Sequence, residues 1–337
     1  MWINNLKVFA AFAVIMLHVA AGFVTGLDVS NPEVSVHNWW AGNIFESTTR
    51  WCVPLFIMIS GYFLLNKDES PSTFFKKRLS RVLIPLLFWS LFFSVWTILK
   101  YHVVYDDVAS APKALVKAWI LGKPYVHLWY LFMIPFLYLI TPILRTLFNN
   151  LSRHELFVFI LFNFALTILN SLATSVFSYL DMNAKLSLFT NNFLMYIGYY
   201  CLGGYIAKYD VKVNSILSTI VLITAWSLAI FGKYFLVTGY FHSNNSISTI
   251  LSSVALFFLI QTFCDRDFKF SSFAKLSFGI YLVHPIFLDI LSFAGRSWLL
   301  DRMDIYIYIP LASVMVFLLS YAVALSFSKS RYLSRCI

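Results

Sequence analysis

Apolar residues fill this chain in ten long runs that are separated by short polar segments. The runs lie near residues 6–26, 48–66, 80–100, 126–146, 155–176, 191–207, 215–235, 246–264, 273–294 and 305–327. Each run approaches the roughly 20 residues that an α-helix needs to cross a bilayer. The short alternating segments typical of a membrane β-barrel are absent from the sequence. The pattern predicts one all-α, polytopic integral membrane domain over residues 1–337, with about ten transmembrane helices.

Composition supports a membrane protein. Hydrophobic residues make up 60% of the chain and charged residues 12%, and the mean hydropathy is +0.77. A soluble domain of this length does not have such a composition. The net charge of +10 would suggest a nucleic-acid partner in a soluble protein. Here we interpret it as basic residues at the cytoplasmic ends of spans, and we expect no nucleic-acid partner.

The basic residues also predict an orientation. With the N-terminus in the cytoplasm, 16 Lys and Arg residues lie inside and 9 lie outside. This bias favours an even number of spans with both termini cytoplasmic. The predicted outer loop at 101–125 carries three lysines, which is against the bias.

His18 is the candidate for chemistry in the first apolar run. Apart from Lys7 at the edge of the run, it is the only ionisable side chain there. A titratable group at bilayer depth is costly and indicates a functional site. Eleven helical positions separate Lys7 from His18, which puts them on nearly the same face, roughly 16 Å apart. One helix face therefore carries a cation at the membrane edge and a possible base near the centre.

Two further histidines occur in or beside apolar runs. His127 precedes Trp129 and Tyr130 at the predicted outer start of the fourth run. These aromatic residues suit either an interfacial belt or a platform for a sugar ring. His284 precedes Pro285, which frees a backbone carbonyl, and it is either a functional group or a satisfied polar residue between helices. Asp289 lies five positions further on and does not share the face of His284.

The predicted cytoplasmic end of the third run has a basic cluster that includes Arg78 and Arg81. Their i, i+3 spacing puts both on one helix face, where two guanidinium groups can bind phosphate oxygens. On composition alone, ordinary anchoring beside anionic lipid is the simpler interpretation. Ser60-Gly61 in the second run indicates tight helix packing, and Pro54 can break that run. The sequence has no Walker A loop for a nucleotide and no GxSxG motif for a serine nucleophile. It has no HExxH motif for zinc either, and we predict no metal.

Taken together, these motifs resemble the membrane acyltransferase 3 family. The resemblance covers essentially the whole chain and is greatest to surface-polysaccharide O-acetyltransferases, such as those that modify enterobacterial common antigen. The matching motifs are Asn5-Leu6-Lys7 with His18 after ten residues, Pro54-Leu55-Phe56 through Ser60-Gly61-Tyr62, Arg78-x-x-Arg81, His127-Leu128-Trp129-Tyr130 and Gly279-Ile280-Tyr281-Leu282-Val283-His284.

The resemblance implies a multi-pass enzyme of the bacterial inner membrane. It would move an acyl group, most simply acetyl, from cytoplasmic acetyl-CoA to a hydroxyl of a surface polysaccharide or its lipid-linked precursor, with membrane lipid as its other partner. His18 is then the catalytic base. The implied binding residues are Lys7, Arg78 and Arg81 for the donor, and His127, Trp129, Tyr130 and His284 for the acceptor.

Several points stay open on the sequence. Members of the family usually have arginine where this chain has Lys7, which keeps the charge and loses the bidentate fork. The carboxylate that supports His18 is not identified, and a covalent acyl-histidine is a second possible chemistry. A polysaccharide exporter or an assembly scaffold would also be helical, basic and aromatic. The candidate carboxylates are Asp28, Glu33, Glu46 and Asp289.

Overall fold

The computed structural model describes residues 2–180, 192–236, 239–264, 271–294 and 296–337. These residues form α-helices, two short 3₁₀ turns and no β-strand, which confirms the all-α class. The α-helices are α1 (Trp2–Ala21), α2 (Val36–Ser47), α3 (Cys52–Leu64), α4 (Pro71–Val103), α5 (Ala111–Ile120), α6 (Trp129–Asn150), α7 (Arg153–Tyr179), α8 (Asn192–Met195), α9 (Ile197–Tyr209), α10 (Ser215–Leu236), α11 (Ile247–Phe263), α12 (Ser271–Ala294), α13 (Arg296–Leu300) and α14 (Ile305–Lys329). The 3₁₀ turns are Val108–Ser110 and Leu333–Cys336.

Each of the ten predicted runs contains a helix. Within the described ranges, seven of these helices are long and apolar enough to cross a membrane: α1, α4, α6, α7, α10, α12 and α14. The others are shorter, with 13 residues in α3, 13 in α9 and 17 in α11. The chain is therefore a polytopic membrane protein, and the count of ten spans stays a prediction because the short helices fall below the usual length.

Some sequence predictions lie outside the described residues. Lys185 and the first residue of the run at 191–207 are among them, and so are Arg266 and Lys269. These three basic residues contributed to the predicted orientation, which stays a prediction.

The sequence prediction missed the short helices α2, α5 and α13, which lie between apolar runs. It also placed a possible break at Pro54. The structure shows Pro54 in the first turn of α3, where the missing N–H would have no intrahelical acceptor. The proline therefore begins the helix and does not interrupt it.

Helix α1 lies in the interior of the bundle and packs against α2, α3, α11, α12 and α14. Four of its alanines are buried, and their small side chains allow neighbouring backbones to approach. They are Ala10, Ala11, Ala13 and Ala20. The central position of α1 places both Lys7 and His18 among other helices.

Helices α3 and α9 pack with their backbones in contact. A Cβ atom on Gly61 would overlap the backbone of Tyr200, and one on Gly203 would overlap the backbone of Met58. The prediction of tight packing at Ser60-Gly61 is confirmed. This contact fixes the position of Ser60, which lies beside the site described below.

The bundle has two ends, which we name by α1. Helices α1, α4 and α12 run from the Lys7 end to the His18 end, and α3, α6 and α14 run the opposite way. A hydrogen bond from Asn5 Nδ2 to the Cys264 carbonyl, 2.7 Å, joins the start of α1 to the end of α11 at the Lys7 end. A cavity opens at each end, and functional residues from distant parts of the chain meet there.

Candidate active site

Three histidines from separate parts of the chain meet in the interior. The rings of His18 and His284 are stacked, with centroids 5.3 Å apart and planes at 28°. The His127 ring lies edge-on to His284, with centroids 5.4 Å apart. His18 is in the last turn of α1, so it lies nearer the end of that helix than the sequence prediction placed it. Three costly side chains that the sequence singled out separately thus form one group.

Pro285 determines which nitrogen of His284 carries a proton. A proline has no N–H, so the carbonyl four residues earlier, on Tyr281, loses its helical partner. The Nδ1 atom of His284 lies 2.6 Å from that carbonyl oxygen. Because a carbonyl only accepts, Nδ1 carries a proton in this contact. The sequence prediction that Pro285 frees a carbonyl is confirmed by this contact.

Three ring nitrogens of His127 and His284 are buried without ordinary hydrogen-bond partners. Within the part of the chain that the structure describes, Nε2 of His284 and both ring nitrogens of His127 make no hydrogen bond of normal geometry, although the Leu282 backbone lies near His127. His284 is 0% exposed and His127 is 1% exposed. An unpartnered buried polar atom costs roughly 1–3 kcal/mol, and such atoms are suited to a ligand's hydrogen bonds.

Tyr281 fixes the third histidine. Its hydroxyl donates a hydrogen bond to the backbone carbonyl of His127. The Tyr281 ring lies 5.8 Å from His284 and 5.9 Å from Tyr130, centroid to centroid. We call His18, His127, His284 and Tyr281 the histidine layer. It lies between the two cavities, since His18 lines one and Tyr281 lines the other.

The two cavities are named outer and inner after the predicted orientation, and the outer cavity, at the His18 end, has a volume of about 420 Å³. Besides His18, its polar lining includes Lys100 from the end of α4 and Asp289 from α12. Lys100 Nζ and Asp289 Oδ1 are 3.0 Å apart. Tyr125 and Tyr308 are also among the lining residues. A ligand in this cavity could contact an imidazole, an ion pair and aromatic faces together.

The cavity at the Lys7 end, the inner cavity, has a volume of about 260 Å³. Its lining includes Lys7, Lys275, Ser60, Tyr130 and Tyr281. Two lysines and no carboxylate line it among the residues that the structure describes, so this lining favours an anionic ligand. The sequence analysis identified Lys7 here and missed Lys275, which looked like one more cytoplasmic basic residue.

Arg78 and Arg81 lie on α4 at the Lys7 end. Arg78 is half-buried, and its Nε has no hydrogen-bond partner among the described residues, while Arg81 is exposed. Both lie close enough to the Tyr138 hydroxyl to interact electrostatically with it. Neither lines the inner cavity itself. Ser60, which lines the cavity, is near the hydroxyls of both Tyr138 and Tyr130.

The structure separates the four residues that the resemblance assigned to the acceptor. His127 and His284 belong to the histidine layer, and Tyr130 lines the inner cavity. Trp129 lines neither cavity and stacks on Tyr196, with centroids 5.7 Å apart. The direction in which a helix turns its side chains is set by packing, so three residues of the His127–Tyr130 motif reach three different environments. Their roles as acceptor contacts stay predictions.

Two of the four candidate carboxylates lie in the loop after α1. Asp28 is bonded to Ser30 through both the backbone N–H and the hydroxyl, and these bonds hold the pKa of Asp28 below its usual value. Glu33 is exposed in the same loop. Among the described residues, neither carboxylate is hydrogen-bonded to His18, and that of Asp28 bonds within its own loop.

Glu46 is fully buried at the end of α2. It forms an ion pair with Arg50, and its other oxygen lies 3.2 Å from Nδ1 of His242. A carboxylate that has two basic partners is already neutralised. Of the four candidates, Asp289 is the one that lines the same cavity as His18. No described carboxylate is hydrogen-bonded to that imidazole, and no described group of three His, Cys, Asp or Glu has the geometry of a metal site.

Comparison of the chain with models of known protein families gives a match. The model of the acyltransferase domain of the acyltransferase 3 family matches residues 1–329. The chain belongs to that family. It is therefore a multi-pass membrane acyltransferase. Neither the curated proteins nor the solved structures gave a match.

In this acyltransferase, motifs that are separate in the sequence meet around the two cavities. Lys7 lines the inner cavity and His18 lines the outer cavity, so the part of α1 between these residues connects the two cavities. The Gly279–His284 motif supplies both Tyr281 and His284 to the layer between them. Two motifs that are far apart in sequence therefore contribute to one site.

Proposed function

We propose that this protein is an O-acetyltransferase of the bacterial inner membrane. It moves acetyl from cytoplasmic acetyl-CoA to a hydroxyl group of a cell-surface polysaccharide or of its lipid-linked precursor. The observation that carries the proposal is the position of the histidine layer between two cavities at opposite ends of one bundle. A donor and an acceptor that approach from opposite sides of a membrane need such a meeting point.

The inner cavity is the proposed donor site. Acetyl-CoA carries phosphates at one end and the thioester at the end of a flexible arm. The phosphates lie against Arg78, Arg81 and the lysines of the cavity mouth, because cations favour them there. The arm enters the cavity past Ser60 and Tyr130 toward Tyr281, which brings the thioester to the histidine layer. This arrangement requires the Lys7 end to face the cytoplasm, in agreement with the orientation that the basic residues predict.

The outer cavity is the proposed acceptor site. A sugar hydroxyl beside His18 loses its proton to the imidazole as its oxygen attacks the thioester carbonyl carbon. The carbon–sulfur bond then breaks, and the coenzyme leaves as a thiol with the proton that His18 had accepted. The charge on the acetyl oxygen needs donors or electropositive groups nearby while it develops. No metal takes part in this mechanism.

The proposal is tested by following acetyl groups from the donor to the glycan. Cells with and without the gene are compared by mass spectrometry of their surface glycans. In parallel, the purified protein in detergent is mixed with acetyl-CoA, and binding is measured by calorimetry. We expect acetyl groups on the glycan only when the gene is present, and saturable acetyl-CoA binding.

An exporter makes the opposite predictions. Without the gene it would leave less glycan on the surface, with unchanged acetylation of what remains, and the protein would not bind acetyl-CoA. A larger mass increment than acetyl on the glycan would keep the acyltransferase and replace the acyl group.

A further inference from the structure

The outer cavity contains an ion pair that takes no part in the proposed reaction. Asp289 lies in a segment of α12 that is otherwise apolar, and Lys100 lies in the last turn of α4. Charged residues in such segments are costly and indicate function. Their contacts show what remains available to a ligand.

The carboxylate of Asp289 is held from three directions. Its Oδ2 accepts hydrogen bonds from the Trp96 indole, at 2.7 Å, and from the Tyr125 hydroxyl. Its Oδ1 accepts from Lys100 Nζ at 3.0 Å. Lys100 also donates to the Tyr125 hydroxyl at 3.1 Å. The ion pair is therefore fixed in position before any ligand arrives.

Each charged group keeps one unused hydrogen-bonding site. Among the described residues, Oδ1 of Asp289 has Lys100 as its one partner, although a carboxylate oxygen accepts two bonds. Lys100 has three protons, of which Asp289 and Tyr125 take two. The Lys100 and Asp289 side chains are 19% and 18% exposed, and both line the outer cavity. Both residues line the outer cavity with His18, so the remaining acceptor and donor, on atoms 3.0 Å apart, belong to groups that a ligand in this cavity can reach.

This pattern fits two neighbouring hydroxyl groups on a sugar ring. One hydroxyl donates to Oδ1 of Asp289, and the next accepts from Lys100 Nζ. The pair has no net charge, and a carboxylate or phosphate on the ligand would compete with Asp289 for Lys100. Tyr125 and Tyr308 also line the cavity beside this pair, so part of its wall is aromatic.

We propose that Lys100 and Asp289 bind two adjacent hydroxyls of an uncharged sugar residue in the acceptor, which leaves a further hydroxyl of that sugar at His18. This inference rests on the proposed function, because it specifies the acceptor of the same site. It names the substrate class at the reacting position as a neutral polyol ring and assigns two residues to its recognition.

The test uses the full-length protein in proteoliposomes with radiolabelled acetyl-CoA. The acceptor is glycan from cells that lack the gene, prepared in two forms, delipidated polysaccharide and lipid-linked precursor. The acceptor KM and kcat are measured for the wild type, Asp289→Asn, Lys100→Met and the control Asp301→Asn, an exposed carboxylate outside the cavity. The mass of the acetylated fragment identifies the modified sugar.

We expect Asp289→Asn and Lys100→Met each to raise the acceptor KM roughly 10- to 100-fold, the effect of losing a charge-assisted hydrogen bond. Acetyl-CoA affinity should stay unchanged in both variants, and Asp301→Asn should behave as the wild type. The glycan is supplied as delipidated polysaccharide or as lipid-linked precursor, and the form that shows this KM change is the one whose hydroxyls bind to the pair.

A purely structural pair would give a different result. Removing one partner leaves a buried charge and destabilises the protein, whereas replacing both by apolar residues is often tolerated. The double variant Lys100→Met/Asp289→Leu should therefore recover thermal stability. Our proposal predicts that its acceptor KM stays high. A normal KM in the double variant, or acetylation of an acidic sugar by the wild type, would overturn the inference and leave the proposed function intact. Absence of any transfer by the wild type would overturn both.

Discussion

The two cavities differ most in how their charges are arranged. Among the described residues, the inner cavity presents Lys7 and Lys275 with no carboxylate on its lining, whereas the outer cavity presents Lys100 neutralised by Asp289. Unpaired cations attract an anion, and a neutral pair attracts a hydroxylated ligand. A chain with a net charge of +10 thus contains one basic site and one neutral site. What each cavity can bind therefore depends on whether its lysines are paired with a carboxylate, and not on how many lysines it contains.

His18→Ala should have the largest effect, because the residue belongs to the step between the cavities. General-base catalysis contributes about 10²- to 10⁴-fold, so we expect acetyl transfer to become undetectable. Acetyl-CoA affinity should not change, since His18 does not line the inner cavity. Transfer is measured with radiolabelled acetyl-CoA and affinity by calorimetry. His154→Ala is the control, because His154 is exposed at the start of α7. Near-normal transfer by His18→Ala would remove it as the base.

Arg78 should have the next largest effect, confined to the donor side. Losing one charge-assisted contact to phosphate should weaken acetyl-CoA binding roughly 10- to 100-fold in Arg78→Ala. Arg78→Lys should recover part of this, since lysine keeps the charge and loses the fork. Arg81→Ala should weaken acetyl-CoA binding less than Arg78→Ala does, because Arg81 is exposed. Lys76→Ala, exposed on the same helix, is the control for general charge. Unchanged affinity in both arginine variants would return the pair to membrane anchoring.

Tyr281→Phe tests whether the histidine layer must be held rigidly. The change removes the hydroxyl that bonds to the His127 carbonyl and keeps the ring. A neutral hydrogen bond contributes about 0.5–1.5 kcal/mol, so we expect a roughly 2- to 10-fold lower kcat with both substrate affinities unchanged. Tyr321→Phe loses a comparable bond, to Ser272, outside both cavities and should leave kcat unaltered. A change in acetyl-CoA affinity without a change in kcat would place Tyr281 in donor binding alone.

The sequence could predict the helices because apolar runs are local. Three of the histidines were recognisable for a similar reason, since each breaks or borders an apolar run. The Lys100–Asp289 pair was not recognisable, because its members are 189 positions apart and Lys100 resembles an anchor at the end of a span. The division of the His127–Tyr130 motif among three environments was also out of reach. Such placements depend on how whole helices rotate against one another, which no local pattern records.

Lys275 should show the smallest effect, and it sharpens the comparison between the cavities. It is exposed at the mouth of the inner cavity, so water and salt screen its charge. A contact of this kind contributes about 0.2–1 kcal/mol, so Lys275→Gln should weaken acetyl-CoA binding roughly 2- to 5-fold at low salt. The difference from the wild type should vanish near 1 M salt. The acceptor KM should not respond to Lys275→Gln at any salt concentration, because the outer cavity contains a neutral pair. Lys212→Gln, exposed in the turn between α9 and α10, controls for the overall charge at this end. A salt-dependent acceptor KM would contradict the contrast between a basic inner cavity and a neutral outer one.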